Sequence, residues 1–197
     1  VDGLLRGLYR YQAAPDGTAD RPDSDGDRPR AQILASGPAM QWALDAQRML
    51  AEDWGVAADV WSATSWTELR REALACDKHN LLHPGEPPKV PYITRTLLNA
   101  PGPVLAVSDW MRAVPDQIAQ WVPGDYTSLG TDGFGRSDTR GALRRHFHVD
   151  AHSITAAVLE ELARMGQVSP EIARDAVDKY QLLDVTAAPR GETGGDS

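Results

Sequence analysis

Cysteine occurs once in the 197 residues, at Cys76, which excludes an internal disulfide framework and a Cys-rich zinc site. A lone thiol fits a reducing compartment, and the expected location is cytoplasmic. No apolar run approaches the ~18 residues a membrane helix needs, so no membrane partner is expected. Basic residues are too few for a phosphate-binding face: 20 Lys and Arg stand against 28 Asp and Glu, a net charge of -8. Nucleic acid is therefore not an expected partner either. Asparagine is confined to Asn80 and Asn99, a scarcity that matters below. No secretory leader is visible and the chain begins at Val1, so it is expected to be a piece of something longer. The length suits one domain, expected over residues 1–184, followed by a flexible tail over 185–197.

Strands and helices alternate along the sequence. Leu4 to Gln12 reads as a strand, as does Ala31 to Ser36. Between them, Ala14 to Arg30 carries five Asp, three Arg, three Pro and no large apolar residue. Such a stretch cannot bury enough surface to offset its ordering entropy. Residues 13–30 are therefore expected to be a mobile loop joining two antiparallel strands of a hairpin. Ala39, Trp42, Ala43, Ala46, Met49 and Leu50 recur at helical spacing up to Gly55. Val56 to Ala63 is the next strand, and Ser65 with Glu68 forms a capping-box pattern for a helix burying Trp66, Leu69, Ala73 and Cys76.

Lys78 to Pro103 contains six prolines and leaves room for a short helix only over Tyr92 to Asn99. Pro103 to Ser108 reads as a buried parallel strand. Met111 to Val122 reads as a helix, and Tyr126 to Leu129 as the last strand. Helices are expected over Arg140 to Phe147, Ala151 to Met165 and from Ser169-Pro170-Glu171 onward. The alternation implies an α/β fold: an open mixed five-stranded sheet, four strands parallel and one antiparallel, with helices on both faces.

Gly130, Thr131, Asp132, Gly133, Phe134, Gly135, Arg136, Ser137 and Asp138 follow a strand and precede a helix, where open α/β sheets bind ligands. The dinucleotide pattern fails, because Asp138 stands where its last glycine belongs and would repel a pyrophosphate. Asp138 reads better as a helix cap. The loop is thus an interface loop in the first reading and an anion site, through Arg136, in the second. His146, His148 and His152 cluster in sequence, but Val149-Asp150 looks like a helix break that spoils a shared zinc face. His79 and His83 read as structural groups. Asp23, Asp25, Gly26 and Asp27 hint at calcium, yet that spacing puts Arg21 and Gln32 at essential ligand positions. Cys76 has no basic neighbours to activate it. Neither a nucleophile elbow nor a P-loop occurs.

The string GTDGFGRSDTRGALRRHFHVDA, Gly130 to Ala151, resembles the C-terminal domain of the homodimeric, thiamine-diphosphate-dependent pyruvate dehydrogenase component. The resemblance extends over Asp59 to Ile93, GLLRGLYRY near the start, and Ser108 to Met111. Transketolases and homodimeric 2-oxoglutarate enzymes are related, but the full string looks less like theirs. Two departures stand out: Arg145 where His is common, and His148 where Glu is usual.

The resemblance implies a transketolase C-terminal-domain-like fold within a three-domain parent. That parent uses thiamine diphosphate and Mg2+, decarboxylates pyruvate, and passes the acetyl group to the lipoyl group of the acetyltransferase component. The family's GDG motif and paired asparagines are absent here: Asp25-Gly26-Asp27 is the inverse, and Asn80 and Asn99 are not adjacent. No catalytic, cofactor-binding or metal residue is therefore carried over. The expected partners are the remaining domains, the dimer mate and the lipoyl acetyltransferase component. The expected role is structural and dimer-supporting, without activity or cofactor binding by this chain alone. The alternatives are an effector-binding module at Gly130 to Asp138 and a docking module for the acetyltransferase.

Overall fold

A computed structural model of the chain describes residues 2–15 and 28–184. The elements are α1 (Asp2–Arg6), β1 (Leu8–Gln12), β2 (Arg30–Ala35), α2 (Ala39–Trp54), β3 (Ala57–Ala63), α3 (Trp66–Leu82) and α4 (Tyr92–Leu97), then β4 (Val104–Val107), α5 (Ala113–Asp116), a 3-10 turn (Ala119–Trp121) and β5 (Tyr126–Leu129). Three helices end the series: α6 (Arg140–His146), α7 (Ala151–Arg164) and α8 (Pro170–Lys179).

Alternation along the strands sorts the chain into two cores. In β2, Ala31, Ile33 and Ala35 join Ala58 and Val60 of β3 and Leu105 and Val107 of β4 beneath α2, α7 and α8. Leu34, Trp61, Ala63, Val104 and Ala106 face the other way, against α3, α4 and the Ile118 to Val122 segment. The helical period of α2 places Trp42, Ala43, Ala46 and Leu50 on one buried stripe, and Gly55 closes the helix. Helices thus cover both faces of a five-stranded sheet of order β1-β3-β2-β4-β5. The β2–β3, β2–β4 and β4–β5 pairs are parallel, and β1–β3 is antiparallel. The buried Gln32 is fully engaged: its amide donates to Pro101 O at 2.9 Å and accepts from the Trp61 indole at 2.8 Å.

Several local expectations are corrected. β1 does not form a hairpin with β2; it lies at the sheet edge against β3, with Leu8 opposite Ala63, because β2 already has β3 and β4 as parallel neighbours. Leu4 to Arg6 belongs to α1 rather than a strand, since Gly7 turns the chain at φ 95 and the Arg6 Nε–Asp2 pair at 2.9 Å spans one helical turn. α3 continues through Lys78 to Leu82 before the prolines begin. The expected Met111 to Val122 helix is split into α5 and a 3-10 turn around Pro115. Pro115 has no N–H to donate and its ring crowds the preceding turn. The Ser65 cap is half a capping box: Ser65 Oγ accepts from Glu68 N at 3.1 Å, while the Glu68 carboxylate turns to Arg71.

The two ends of the acidic stretch are pinned where they meet the sheet. The Gln47 amide donates to Ala13 O at 3.0 Å and Ala58 O at 2.7 Å. Asp59, buried in β3, accepts from Ala14 N at 2.7 Å and lies 3.6 Å from the Arg30 guanidinium. The mobility expected for 13–30 otherwise falls on residues 16–27, outside the described residues, as does the expected tail over 185–197. Arg30 itself begins β2.

Candidate interface at the carboxyl ends of the parallel strands

The crevice between β2 and β4 is where the connections leave the sheet on opposite sides, the usual ligand position of an open α/β fold. Side chains bridge it here. Ser36 Oγ donates to Ser108 Oγ at 3.2 Å and accepts from the Trp66 indole at 3.1 Å, and Ser108 Oγ also accepts from Trp110 N at 3.1 Å.

The first part of the Gly130 to Asp138 loop is stitched to the loop after β4. Thr131 N donates to Trp110 O at 2.9 Å, and Thr131 Oγ1 to Asp109 O at 2.8 Å. Asp132 accepts from Arg112 N at 2.9 Å and from Arg112 Nε at 2.7 Å. These bonds hold the Asp132 carboxyl below its ordinary range, the Arg112 side chain first and its backbone second. A side chain at Gly130 would place its Cβ 2.5 Å from Trp110 O and 2.8 Å from Arg112 N, so only glycine lets the two loops meet this closely.

Gly133 to Asp138 stand out from the surface. Phe134 is 97% exposed, and from the stitched neighbouring loop Trp110 and Met111 are 64% and 55% exposed. Between this loop and α6 runs a groove of about 330 Å³. Trp42, Leu143, Phe147 and Val149 supply its apolar wall, Phe134 its lip. Arg136 and Arg144 line it as well, the Arg144 guanidinium lying 4.8 Å over the Trp42 ring, a cation–π geometry. Arg136 Nη1 lies 3.4 Å from His146 Nδ1.

Asp138 is not the cap of α6, as expected from sequence. Thr139 caps it, its hydroxyl accepting from Ala142 N at 3.3 Å, and Asp138 accepts from Thr139 N at 2.8 Å. Asp and Thr are both good caps, so their order along the chain decides nothing by itself.

Beneath the groove, α6 carries a side chain whose burial sequence reasoning missed. Arg145 is 1% exposed. Its Nε stands 2.8 Å from Asp150 Oδ2, an ion pair rather than an aligned hydrogen bond. Its Nη1 donates to Tyr180 O at 2.9 Å, and its Nη2 to His152 Nδ1 at 3.2 Å. Asp150 also caps α7, accepting from Ser153 N at 2.8 Å. The Tyr180 hydroxyl donates to Asp53 at 2.9 Å and accepts from the Trp54 indole at 2.9 Å. One guanidinium therefore joins α6, α7 and the end of α8. Adjacent Arg144 and Arg145 look alike in sequence, and only the helix direction buries one of them.

His152 must accept at Nδ1 from Arg145, which requires the neutral ring. Burial, foremost, pushes its pKa below the ordinary value; the Arg145 guanidinium adds to this and the Asp150 carboxylate opposes it. The unfolded chain, titrating near ~6.5, then takes up protons before the native one does. Stability is thus expected to fall as pH drops below about 6.5, and this contribution levels off beneath the folded pKa. His79 is depressed too, chiefly by burial, and contributes a slope of the same sign. Urea unfolding at successive pH values checks this: His152→Gln, which keeps an acceptor but no titration, should flatten the slope. An unchanged slope would refute the assignment.

The other sequence candidates do not converge on a site. His148 sits exposed at φ 54 between α6 and α7, and His152 lies in α7, so they share no helix face. The His79 and His83 rings lie with centroids 4.4 Å apart and planes tilted by 43°, and His79 Nε2 lies 3.5 Å from Glu86. Cys76 lies 3.6 Å from Glu72, and burial first, then that carboxylate, pushes its thiol pKa up, away from nucleophilic use. Asp23, Asp25, Gly26 and Asp27 lie outside the described residues. Among the described residues no three His, Cys, Asp or Glu side chains are grouped to hold a metal ion. No helix of the described residues is long and apolar enough to cross a membrane.

Comparison with known proteins bears out the resemblance carried by Gly130 to Ala151. The pyruvate dehydrogenase E1 component of Mycolicibacterium smegmatis is 55% identical over 188 residues, covering 95% of this chain and 19% of that protein. The pyruvate dehydrogenase E1 component of Escherichia coli K12 is 39% identical over 190 residues, covering 96% of this chain and 20% of that protein. The chain thus spans about one fifth of the length of the curated relatives it matches. A transketolase from Leishmania mexicana superposes with a TM-score of 0.50 at 20% identity, over 83% of this chain and 19% of that one, a likeness of fold. A family model described as the transketolase-like TK C-terminal domain matches residues 19–150. With most of its length matched by that family and its sheet of the same kind, the chain belongs to the transketolase-like C-terminal domain family.

Proposed function

We propose that this domain is a packing and dimer-supporting part of a larger cytoplasmic pyruvate dehydrogenase whose chemistry is carried by other domains. In this reading the parent depends on thiamine diphosphate and Mg2+, decarboxylates pyruvate, and delivers the acetyl group to the lipoyl group of an acetyltransferase component. The domain itself, residues 1–184, binds neither cofactor nor metal and has no activity alone.

The observation that carries the reading is a rigid apolar surface at the end of α3. Leu81, Leu82 and Val90 are exposed there around the proline-rich stretch. The Asn80 side chain clamps that stretch, donating to Lys89 O at 2.9 Å and accepting from Lys89 N at 2.7 Å. A surface fixed before contact loses little entropy on association. Trp61, Trp66 and Trp121, by contrast, are buried in the domain's own core. The Gly130 to Asp138 loop reads as an interface element rather than a small-anion site, because Asp132 engages Arg112 and Asp138 adds a second carboxylate two residues after Arg136.

Two measurements test this together. Titrating the 197-residue chain with thiamine diphosphate and Mg2+ should leave tryptophan fluorescence unchanged; saturation in the micromolar range overturns the division of labour. In the longer polypeptide, Leu81→Asp combined with Val90→Asp should raise the dimer dissociation constant at least about tenfold by sedimentation. An unaffected dimer removes this surface from the interface.

A further inference from the structure

We infer that α6, with the loop before it, is a lid latched by the Arg145 guanidinium and unlatched when His152 takes up a proton. The inference stands apart from the proposed function, since it concerns only how one helix is held to the domain.

The first ground is attachment. Of the seven residues of α6, Arg145 alone is buried. The neighbouring α7 buries nine side chains over 14 residues. Leu143 and Phe147 are only partly covered, and Arg144 lies over the Trp42 ring. A helix of two turns has no stability of its own in water. The Arg145 guanidinium therefore fixes α6, through Tyr180 O at the end of α8, His152 Nδ1 in α7 and the Asp150 carboxylate between α6 and α7. The second ground is the joints on either side. Gly133 precedes α6 at φ 103, and His148 follows it at φ 54, a left-handed conformation that a side chain enters only at a cost. Segments with so few buried contacts are the ones that open locally while the rest of a domain stays folded.

The third ground is the chemistry of the latch. His152 Nδ1 accepts from Arg145 Nη2 at 3.2 Å only while the imidazole is neutral. The protonated ring has two donors and no acceptor, and it sets a second cation against the guanidinium. The groups facing it come from four sides. Burial resists the charge most; Asp150 ahead of α7 favours it, Arg145 of α6 resists it, and Asp53 of α2 favours it. Asp53 is already engaged from the end of α8, by Lys179 at 2.8 Å and by the Tyr180 hydroxyl at 2.9 Å. The closed lid thus prefers the neutral ring, whereas in the open form the ring titrates near ~6.5. Linkage gives the sign. Above that pH the opening equilibrium is constant; below it, opening rises by up to about tenfold per pH unit until the closed form is protonated as well. The α6 wall of the groove is then set by proton concentration.

Amide hydrogen exchange of the 197-residue chain, followed by NMR between about pH 7.5 and about pH 5, tests this. The probes are the Leu143 and Phe147 amides, bonded to Thr139 O and Leu143 O, with Ile33 and Leu105 of the β2–β4 ladder as reference. Protection at Leu143 and Phe147, corrected for intrinsic exchange, should fall about tenfold or more toward low pH and lie below that of the ladder throughout. Low urea should leave these rates nearly unchanged, because a local opening exposes little surface. The His152 ring titration, read in the same spectra, should have its midpoint where the fall levels off. His152→Gln, which can accept but not titrate, should abolish the pH dependence, and His146→Gln, on the same helix beside Arg136, should preserve it. Protection equal to that of the ladder, or a urea response as steep, would show that α6 opens only with the whole domain and overturns the proposal. So does a pH-independent α6 in the parent chain, a ring midpoint elsewhere, a dependence that survives His152→Gln, or one lost in His146→Gln.

Discussion

Arg145→Met is expected to destabilise the domain by about 3–5 kcal/mol, a large share of the ~5–15 kcal/mol that holds a domain of this kind folded. The cost does not arise from losing a favourable pair. It arises because Asp150 remains buried, 2% exposed, with its counter-charge gone. The Tyr180 carbonyl and His152 Nδ1 lose a donor at the same moment. The double variant Arg145→Met with Asp150→Asn should recover part of the loss, since asparagine still caps α7 at Ser153 N but carries no charge. Urea unfolding of the two singles and the double closes the cycle. A loss under about 1 kcal/mol for the single variant would show that water reaches the site and that the pair is not a buried junction. Because α6 also forms one side of the groove, hydrogen exchange at Leu143 to Phe147 should speed up in the single variant.

Gly102→Ala should cost about 3 kcal/mol or more. Gly102 has φ 86, where L residues are strained, and a Cβ built there falls 1.7 Å from Arg30 O and 2.4 Å from the Arg30 carbonyl carbon. Backbone cannot yield as a side-chain tip can. The turn is also fixed on both sides: Gln32 N donates to Pro103 O at 2.9 Å, and the Gln32 amide to Pro101 O at 2.9 Å. Moving Gly102 aside therefore disturbs the start of the β2–β4 ladder, where Gln32 stands opposite Val104. Urea unfolding measures the loss, and faster exchange of the Gln32 and Val104 amides locates it. A change below about 1 kcal/mol would mean that the turn adjusts without cost.

Much of this arrangement is legible in the sequence because local physics and tertiary packing agree. The stripe from Ala39 to Leu50, the apolar run at Val104 to Val107 and the helix break at Val149-Asp150 each have one good solution, and the fold adopts it. Legibility fails where a choice depends on something distant. Nothing within Leu8 to Gln12 says that its partner is β3 rather than β2, since both are apolar strands. Nothing in Met111 to Val122 says how far Pro115 will disrupt the helix. The Gly130 to Asp138 loop is visible from its glycines and its place after β5. The groove beside it is not, because Trp42 arrives from a helix some ninety residues earlier in the chain. Arg145 is hidden for a similar reason: its burial is decided by Tyr180 and Asp150, which close over it from two other helices.

The anchorage at Ala13, Ala14 and Arg30 has a consequence for how this domain tolerates change. Gln47 and Asp59 fasten both ends of the intervening stretch to β3 and α2 before it departs. Loop closure costs only ~0.6 kcal/mol for each doubling of length. A tether fixed at its two roots passes little of that change inward. The register of β2 on β3 is therefore expected to survive a change in the number of residues between Ala14 and Arg30.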